Sequence, residues 1–209
     1  MDIFSRYKVV IENTDYPTVL ELGAAEGEDT VRYVGALVAL NRPFRYIAFE
    51  PDERNRWHLE RLEEKLNHAF EFYPVALGNH RGVVPWRSSN HPYSGSVKEP
   101  KEHLTLYPHI TFSPPTTVNM TMLDDYCIGK VDWIWCDVQG AEDLVIAGGQ
   151  QTFARTRFFY TEYLEFEAYE GQIGLAEIHR RLPGNWRIVE DYHSWEKGGD
   201  CLFERLTSV

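Results

Sequence analysis

Only three cysteines, Cys127, Cys136 and Cys201, occur in the 209 residues. An odd number at wide spacing, with no Cys-x-x-Cys pair, argues against a disulfide framework and a structural zinc site. It reads as buried free thiols in a reducing compartment. Long apolar runs are missing too: the best, Val34 to Leu40, is far too short for a membrane span. The opening Met1-Asp2-Ile3-Phe4-Ser5-Arg6 has no apolar core followed by a small-residue cleavage site, so no secretory signal is expected. Basic charge is in deficit, with 21 Lys and Arg against 32 Asp and Glu and a formal net charge of -11. The acidic residues are spread along the chain, and their average field repels a phosphate backbone. These absences predict a soluble, cytoplasmic protein with neither a membrane nor a nucleic acid as partner. No shift in composition marks a boundary, so residues 1–209 are expected to form one domain.

What is present is an alternation of short apolar runs with amphipathic stretches. Strands are predicted at Val19–Leu22, Arg45–Glu50, Phe70–Leu77, Val131–Val138 and Arg157–Leu164. Helices are predicted between them at about Gly27–Leu40, Glu53–His68 and Ala141–Phe153, with another at Leu175–Leu182. Residues 1–17 offer only a short lead-in around Tyr7 to Ile11. Val83–Trp86 is a further short strand, and Met120–Cys127 a short helical turn. The tail carries two strands, Trp186–Tyr192 and Asp200–Leu206, around a Gly198-Gly199 turn. This order predicts an α/β fold with a mostly parallel seven-stranded sheet, a C-terminal antiparallel hairpin and helices on both faces. Residues 87–117, with five prolines, five serines and three histidines, read as a long irregular loop covering an acceptor site.

In such a sheet, ligands bind at the carboxyl ends of the strands, near the switch point. Here those ends carry acids. The first strand runs into Glu21-Leu22-Gly23-Ala24-Ala25-Glu26-Gly27, whose Glu-x-Gly-x-x-x-Gly spacing differs from the Gly-x-Gly-x-x-Gly dinucleotide fingerprint. A carboxylate in that turn disfavours a pyrophosphate and suits a ligand bearing a cation, such as S-adenosylmethionine (SAM). Glu50, before Pro51, lies 23 residues after Gly27, where a carboxylate can accept bonds from ribose hydroxyls. Asp137 ends the apolar run Val131-Asp132-Trp133-Ile134-Trp135-Cys136, where a partly desolvated carboxylate needs a partner.

These pieces resemble the FkbM family of SAM-dependent methyltransferases. The resemblance is carried, in order, by Leu20 to Gly27, Phe49-Glu50-Pro51, Val75-Ala76-Leu77-Gly78, Ser94-Gly95-Ser96, Met122 to Tyr126, Cys136-Asp137-Val138-Gln139-Gly140-Ala141-Glu142 and Tyr160-Thr161-Glu162. It implies a class I, Rossmann-like fold and methyl transfer, most often to oxygen, leaving S-adenosylhomocysteine as product. It further implies that Gly23, Ala25 and Gly27 form the loop along the methionine moiety and that Glu21 meets the amino end. Glu50 with Pro51 would hold the ribose, Ala76 and Leu77 would flank the adenine, and Asp137 would sit beside the sulfonium and the acceptor. Two positions depart from the family's usual pattern: Trp135-Cys136 stands where a lysine is common, and Ala24-Ala25-Glu26 where asparagine often appears.

Asp137 is the first candidate for an acid/base or acceptor-orienting residue, with His91 and His80 as imidazoles placed after the third strand. A divalent ion on Asp137, Glu162 and a histidine would suit hard-cation chemistry, but the histidine spacings follow no metal pattern and no metal is predicted. Asn90-His91-Pro92-Tyr93 looks like an amino-methyltransferase box in the wrong place. The expected activity is O-methylation of a hydroxylated small molecule, a sugar or secondary metabolite. The alternatives are a non-catalytic SAM- or nucleoside-binding module and, further off, an NAD-dependent oxidoreductase. Oligomeric state is open.

Overall fold

Strand β1, Thr18–Leu22, is buried along its whole length, as a central strand covered on both faces must be. The alternation of a strand sends Val19 to one face and Leu20 and Leu22 to the other, and the two sets fall into two separate apolar cores. The computed structural model describes residues 1–126, 128–195 and 197–206. In chain order its elements are α1 (Ile3–Glu12), β1, α2 (Glu28–Ala39), β2 (Arg45–Phe49), α3 (Arg56–Leu66), β3 (Phe70–Tyr73), β4 (Ala76–Leu77), β5 (Gly82–Trp86), α4 (His103–Leu106), β6 (Thr116–Thr121), β7 (Val131–Cys136), α5 (Glu142–Gly148), α6 (Gln150–Phe153), β8 (Thr156–Leu164), α7 (Leu175–Arg181), β9 (Trp186–Trp195) and β10 (Gly198–Arg205).

The main sheet has seven strands in the order β3-β2-β1-β7-β8-β10-β9. The first five run parallel to one another; β10 runs antiparallel to both β8 and β9. Tyr7 and Val10 of α1, Tyr33 and Leu37 of α2 and Leu59 of α3 cover one face. Val145 and Ile146 of α5, Phe153 of α6 and Ile178 of α7 cover the other. Each fully buried aliphatic or aromatic side chain in these layers contributes about 1.5–3 kcal/mol. The order reverses between β1 and β7, which opens the crevice where their carboxyl ends diverge.

Several expectations need correction. Residues 1–17 hold a ten-residue helix rather than a short lead-in. Asp2 caps it by accepting the Ser5 N–H at 3.0 Å, and Tyr7, Val10 and Ile11 are its buried stripe. The predicted third strand divides, with Phe70–Tyr73 in the main sheet and Ala76–Leu77 in a second, three-stranded sheet of order β4-β6-β5. The strand β6 in that sheet takes up residues read as loop and as helical turn; a single 3-10 turn, Leu123–Tyr126, follows it. Cys127, the end of that predicted turn, lies outside the described residues. The helix predicted over 141–153, with a late interruption expected at Gly148-Gly149, does break there, into α5 and α6. Gly198 and Gly199 do not turn: both are buried and pair with Leu164 and Tyr163. The 87–117 loop is less irregular than expected, containing α4 and isolated bridges from Arg87 to Ser96, Ser89 to Phe112 and Pro100 to Tyr169. No described helix is long and apolar enough to cross a membrane.

Candidate active site

A cleft opens at the β1/β7 switch point. Its floor is backbone. Gly23 sits at φ +91°, and a Cβ there would lie 1.9 Å from the Asp137 carbonyl oxygen, so only glycine lets the two strand ends approach this closely. The Asp137 N–H donates to Leu22 O at 2.9 Å, while the N–H groups of Gly23 and Ala24 both donate to Phe49 O. These bonds lock the ends of β7, β1 and β2 together.

Glu50 forms one wall. It is 5% exposed. Its Oε2 accepts the Ala25 N–H at 2.9 Å and its Oε1 accepts the Asp52 N–H at 2.8 Å. Burial lifts its carboxyl to about 7, against those bonds and one from Asn55. The carboxylate keeps lone-pair capacity for a ligand hydroxyl beyond these bonds. Pro51 and the apolar Phe49, Val75, Ala76 and Leu77 line the slot beside it.

Asp137 forms the opposite wall with Val138 and Gln139. Its Oδ1 accepts from the Gln139 amide at 2.6 Å, and the same amide lies 3.3 Å from Glu162 Oε2. Burial raises the Asp137 carboxyl despite the amide bond. Burial raises Glu162 further, reinforced by Asp137, Glu142 and Asp200; Asp200 sits directly opposite Glu162 across the β8/β10 pair. Glu142, 3% exposed, is pushed by burial to about 7. Among the described residues no group of three or more His, Cys, Asp and Glu side chains is arranged to hold a metal ion.

The roof comes from one cover segment, to which a second is tied. Trp86, Tyr93, Gly95 and Val97 face the cleft, and Gly95 crosses the Trp86 indole where a Cβ would lie 2.4 Å from Cζ2. Arg54 anchors this segment by donating to Ser89 O at 2.8 Å while paired with Asp52. The second segment, residues 165–174, is laced to the first. The Lys101 N–H donates to Ala168 O and the Glu170 N–H to Glu99 O, both at 2.8 Å, and Lys101 pairs with Glu167.

Gly23, Ala25, Glu50, Pro51, Ala76, Leu77 and Asp137 therefore meet around one cavity. Glu21, Gly27, His80 and His91 are not among its lining residues. Glu21 shares the face of Val19, and its buried Oε2 accepts from Thr30 at 2.6 Å and from the Tyr46 hydroxyl at 2.8 Å; burial raises it to about 8. Gly27 caps α2 behind the cleft, against Leu59. His80 is exposed and bonded to Asn79, and His91 is exposed in the cover. Pro92 and Tyr93 of the misplaced box reach the cleft from that cover, far in sequence from the end of β7. The sequence reading assigned no role to Gln139, Tyr169 or Trp86. Gln139 alone left a signal, as the polar residue two after Asp137 in a turn.

Residues 21–196 match the family described as Methyltransferase FkbM domain. Among curated proteins, the 2-O-methyltransferase NoeI of Sinorhizobium fredii (strain NBRC 101917 / NGR234) is 36% identical over 204 aligned positions, covering 92% of this chain and 81% of that protein. Among solved structures, Methyltransferase FkbM from Methylobacillus flagellatus KT is similar with a TM-score of 0.58 at 15% identity. The match covers 91% of this chain and 44% of that one, so this chain spans less than half of that protein. An rRNA methylase from Streptococcus thermophilus aligns with a TM-score of 0.52 at 9% identity, over 99% of this chain and 98% of that one. At such identities the structural likenesses speak to the fold alone.

Proposed function

This chain belongs to the FkbM methyltransferase family, and we propose that it transfers a methyl group from SAM to a hydroxyl oxygen of a small polyhydroxylated acceptor, a sugar or secondary metabolite. The observation that carries this reading is the pairing of Glu50 and Asp137 on opposite walls of one cleft at the switch point. The slot between them is apolar, and its lining contains no Lys or Arg. That set fits an adenosyl sulfonium: an uncharged base for the slot, a diol for Glu50 and a positive centre near Asp137. It does not fit a pyrophosphate, which calls for a cation or free N–H groups; the N–H groups of Gly23, Ala24 and Ala25 are already donated to Phe49 and Glu50.

When bound, SAM supplies an electrophilic methyl carbon on a cationic sulfur. The protein's part is positioning and proton handling. Phe49, Val75, Ala76 and Leu77 flank the adenine, Glu50 accepts from the ribose hydroxyls, and the Gly23–Ala25 turn runs along the methionine end. Asp137 orients the acceptor hydroxyl and takes its proton as the oxygen is alkylated, a role for which His91 and His80 were the other candidates. The two cover segments exclude water. Oxygen as the acceptor is supported by the 2-O-methyltransferase name of the relative that is 36% identical.

Calorimetric titration with SAM, S-adenosylhomocysteine and NAD in parallel tests the reading. Micromolar binding of both adenosyl ligands without NAD binding is expected. Binding of NAD alone would overturn it.

A further inference from the structure

Gln139 lies at a junction that the proposed chemistry leaves unused. Its backbone is at φ +52°, a left-handed conformation that a non-glycine residue adopts at a cost and holds only when its surroundings fix it. Four bonds do so. The side-chain amide nitrogen lies 2.6 Å from Asp137 Oδ1 and 3.3 Å from Glu162 Oε2. The amide oxygen lies 2.9 Å from the Tyr169 hydroxyl, and the main-chain oxygen accepts from Ser96 Oγ at 2.8 Å. Tyr169 belongs to one cover segment and Ser96 to the other. The Tyr169 hydroxyl is also 2.9 Å from Ser94 O, so it joins both segments at the point where it meets the amide.

This arrangement has a direction. A primary amide has two N–H donors at one end and an acceptor at the other. With its oxygen facing the Tyr169 hydroxyl, its two donors are turned toward the two carboxyls. Moving Tyr169 away removes the only described partner of that oxygen and frees the amide to rotate, which takes a donor off Asp137.

We propose that Gln139 is a positioning residue that couples closure of the cover to the state of Asp137: with Tyr169 seated, the amide holds Asp137 ionised and aimed into the cleft, and with Tyr169 displaced it does not. The proposal rests on the reading of Asp137 as the proton acceptor. Other groups bear on the same carboxyl. Glu162 and Asp200 from the sheet, Glu142 from α5 and Asp29 from α2 all disfavour its charge, while Lys98 from the cover, 2.8 Å from Asp143, lies on the opposing side of the balance near Glu142. Against four acids, the groups favouring the ionised form are the Gln139 side-chain amide and, behind it, the Gln139 main-chain N–H.

The test is an NMR titration of the full chain with 13C-labelled Asp and Glu carboxyls, the two resonances being assigned from Asp137→Asn and Glu162→Gln spectra. Wild type is compared with Gln139→Asn, whose shorter side chain tolerates the left-handed backbone but cannot span both contacts, and with Tyr169→Phe, which keeps the ring and loses only the hydroxyl. Loss of the donor disfavours the ionised form, so the Asp137 midpoint is expected to rise by about one pH unit in Gln139→Asn and by a smaller amount in the same direction in Tyr169→Phe. An Asp137 midpoint unmoved in Gln139→Asn would overturn the proposal, since a merely structural role would alter stability and leave that midpoint in place. A shift in Gln139→Asn with none in Tyr169→Phe would overturn the coupling to the cover. S-adenosylhomocysteine titrated into wild type in the same samples keeps the two readings apart. Its failure to bind counts against the methyltransferase reading, and the carboxyl midpoints still decide the role of Gln139.

Discussion

Replacing Glu50 by glutamine separates the two roles that its carboxyl plays. The two oxygens accept N–H groups on different sides, Ala25 at one and Asp52 at the other. A glutamine amide offers one acceptor and one donor end, so in either orientation its NH2 faces a backbone N–H. The lost bond and the opposed donors cost about 1–3 kcal/mol at any pH. Against this stands the burial of charge. Glu50 ionises at about 7 when folded and at an ordinary 4.5 when unfolded. A raised carboxyl pKa means that the folded state holds the proton more tightly, so wild-type stability is full below 4.5 and falls as pH rises toward 7. Between pH 5 and pH 8 that loss is about 2–3 kcal/mol, and the glutamine variant does not suffer it. Urea unfolding of Glu50→Gln and wild type at both pH values is therefore expected to show a variant that is clearly less stable at pH 5 and close to wild type at pH 8. The apparent affinity for SAM should fall at least tenfold at pH 8, where the charge that meets the ribose is gone. A stability difference that is the same at pH 5 and pH 8 would refute the assignment of a raised pKa to Glu50. Unchanged SAM affinity would refute its place in the cofactor site.

Four further outcomes follow from the geometry. Gly23→Ala must place a methyl group 1.9 Å from the Asp137 carbonyl oxygen at a positive φ, which should cost about 3–5 kcal/mol in chemical unfolding. Gly35→Ala, in the interior of α2 with nothing within 4 Å, should instead stabilise by about 0.5–1 kcal/mol. Lys98→Met removes an ammonium that lies 2.8 Å from Asp143 and 2.9 Å from Gly171 O. With Arg181 3.9 Å from the same carboxylate as partial compensation, the cost is about 2 kcal/mol, and hydrogen exchange should quicken first around residues 96–101 and 169–172. Asp137→Asn should lower turnover on an accepted hydroxylated substrate by about 100-fold or more, measured against a much smaller change in cofactor affinity.

Local pattern was enough to place most of the sheet and two of the site's carboxyls. Glu50 and Asp137 each follow an apolar run at the carboxyl end of a parallel strand, so their position at the cleft follows from strand polarity and the switch-point rule alone. The stripe of Tyr7, Val10 and Ile11 behind an Asp2 cap was equally local and should have marked α1. Glu21 stands outside the lining of the cleft for a reason the alternation already contained: it shares parity with Val19, and the hydroxyls of Thr30 and Tyr46 on that face donate to its carboxylate. Which face carried those hydroxyls depended on where α2 and β2 packed.

Other features had no local signature. The second sheet exists because Ala76–Leu77 finds Met120–Thr121 some forty residues on, and no periodicity within either segment announces that pairing. His80 and His91 fell in loops whose path is set by distant contacts, and those contacts carried them to solvent. The junction of Ser96, Gln139 and Tyr169 joins residues about thirty to seventy positions apart through single hydrogen bonds. The sequence by itself determined which segments become strands and helices, and which acids stand at strand ends, because those follow from side-chain period and chain direction. Tertiary structure alone decided which polar groups face one another across the cleft, because that depends on how the cover segments fold back onto the sheet and meet each other there.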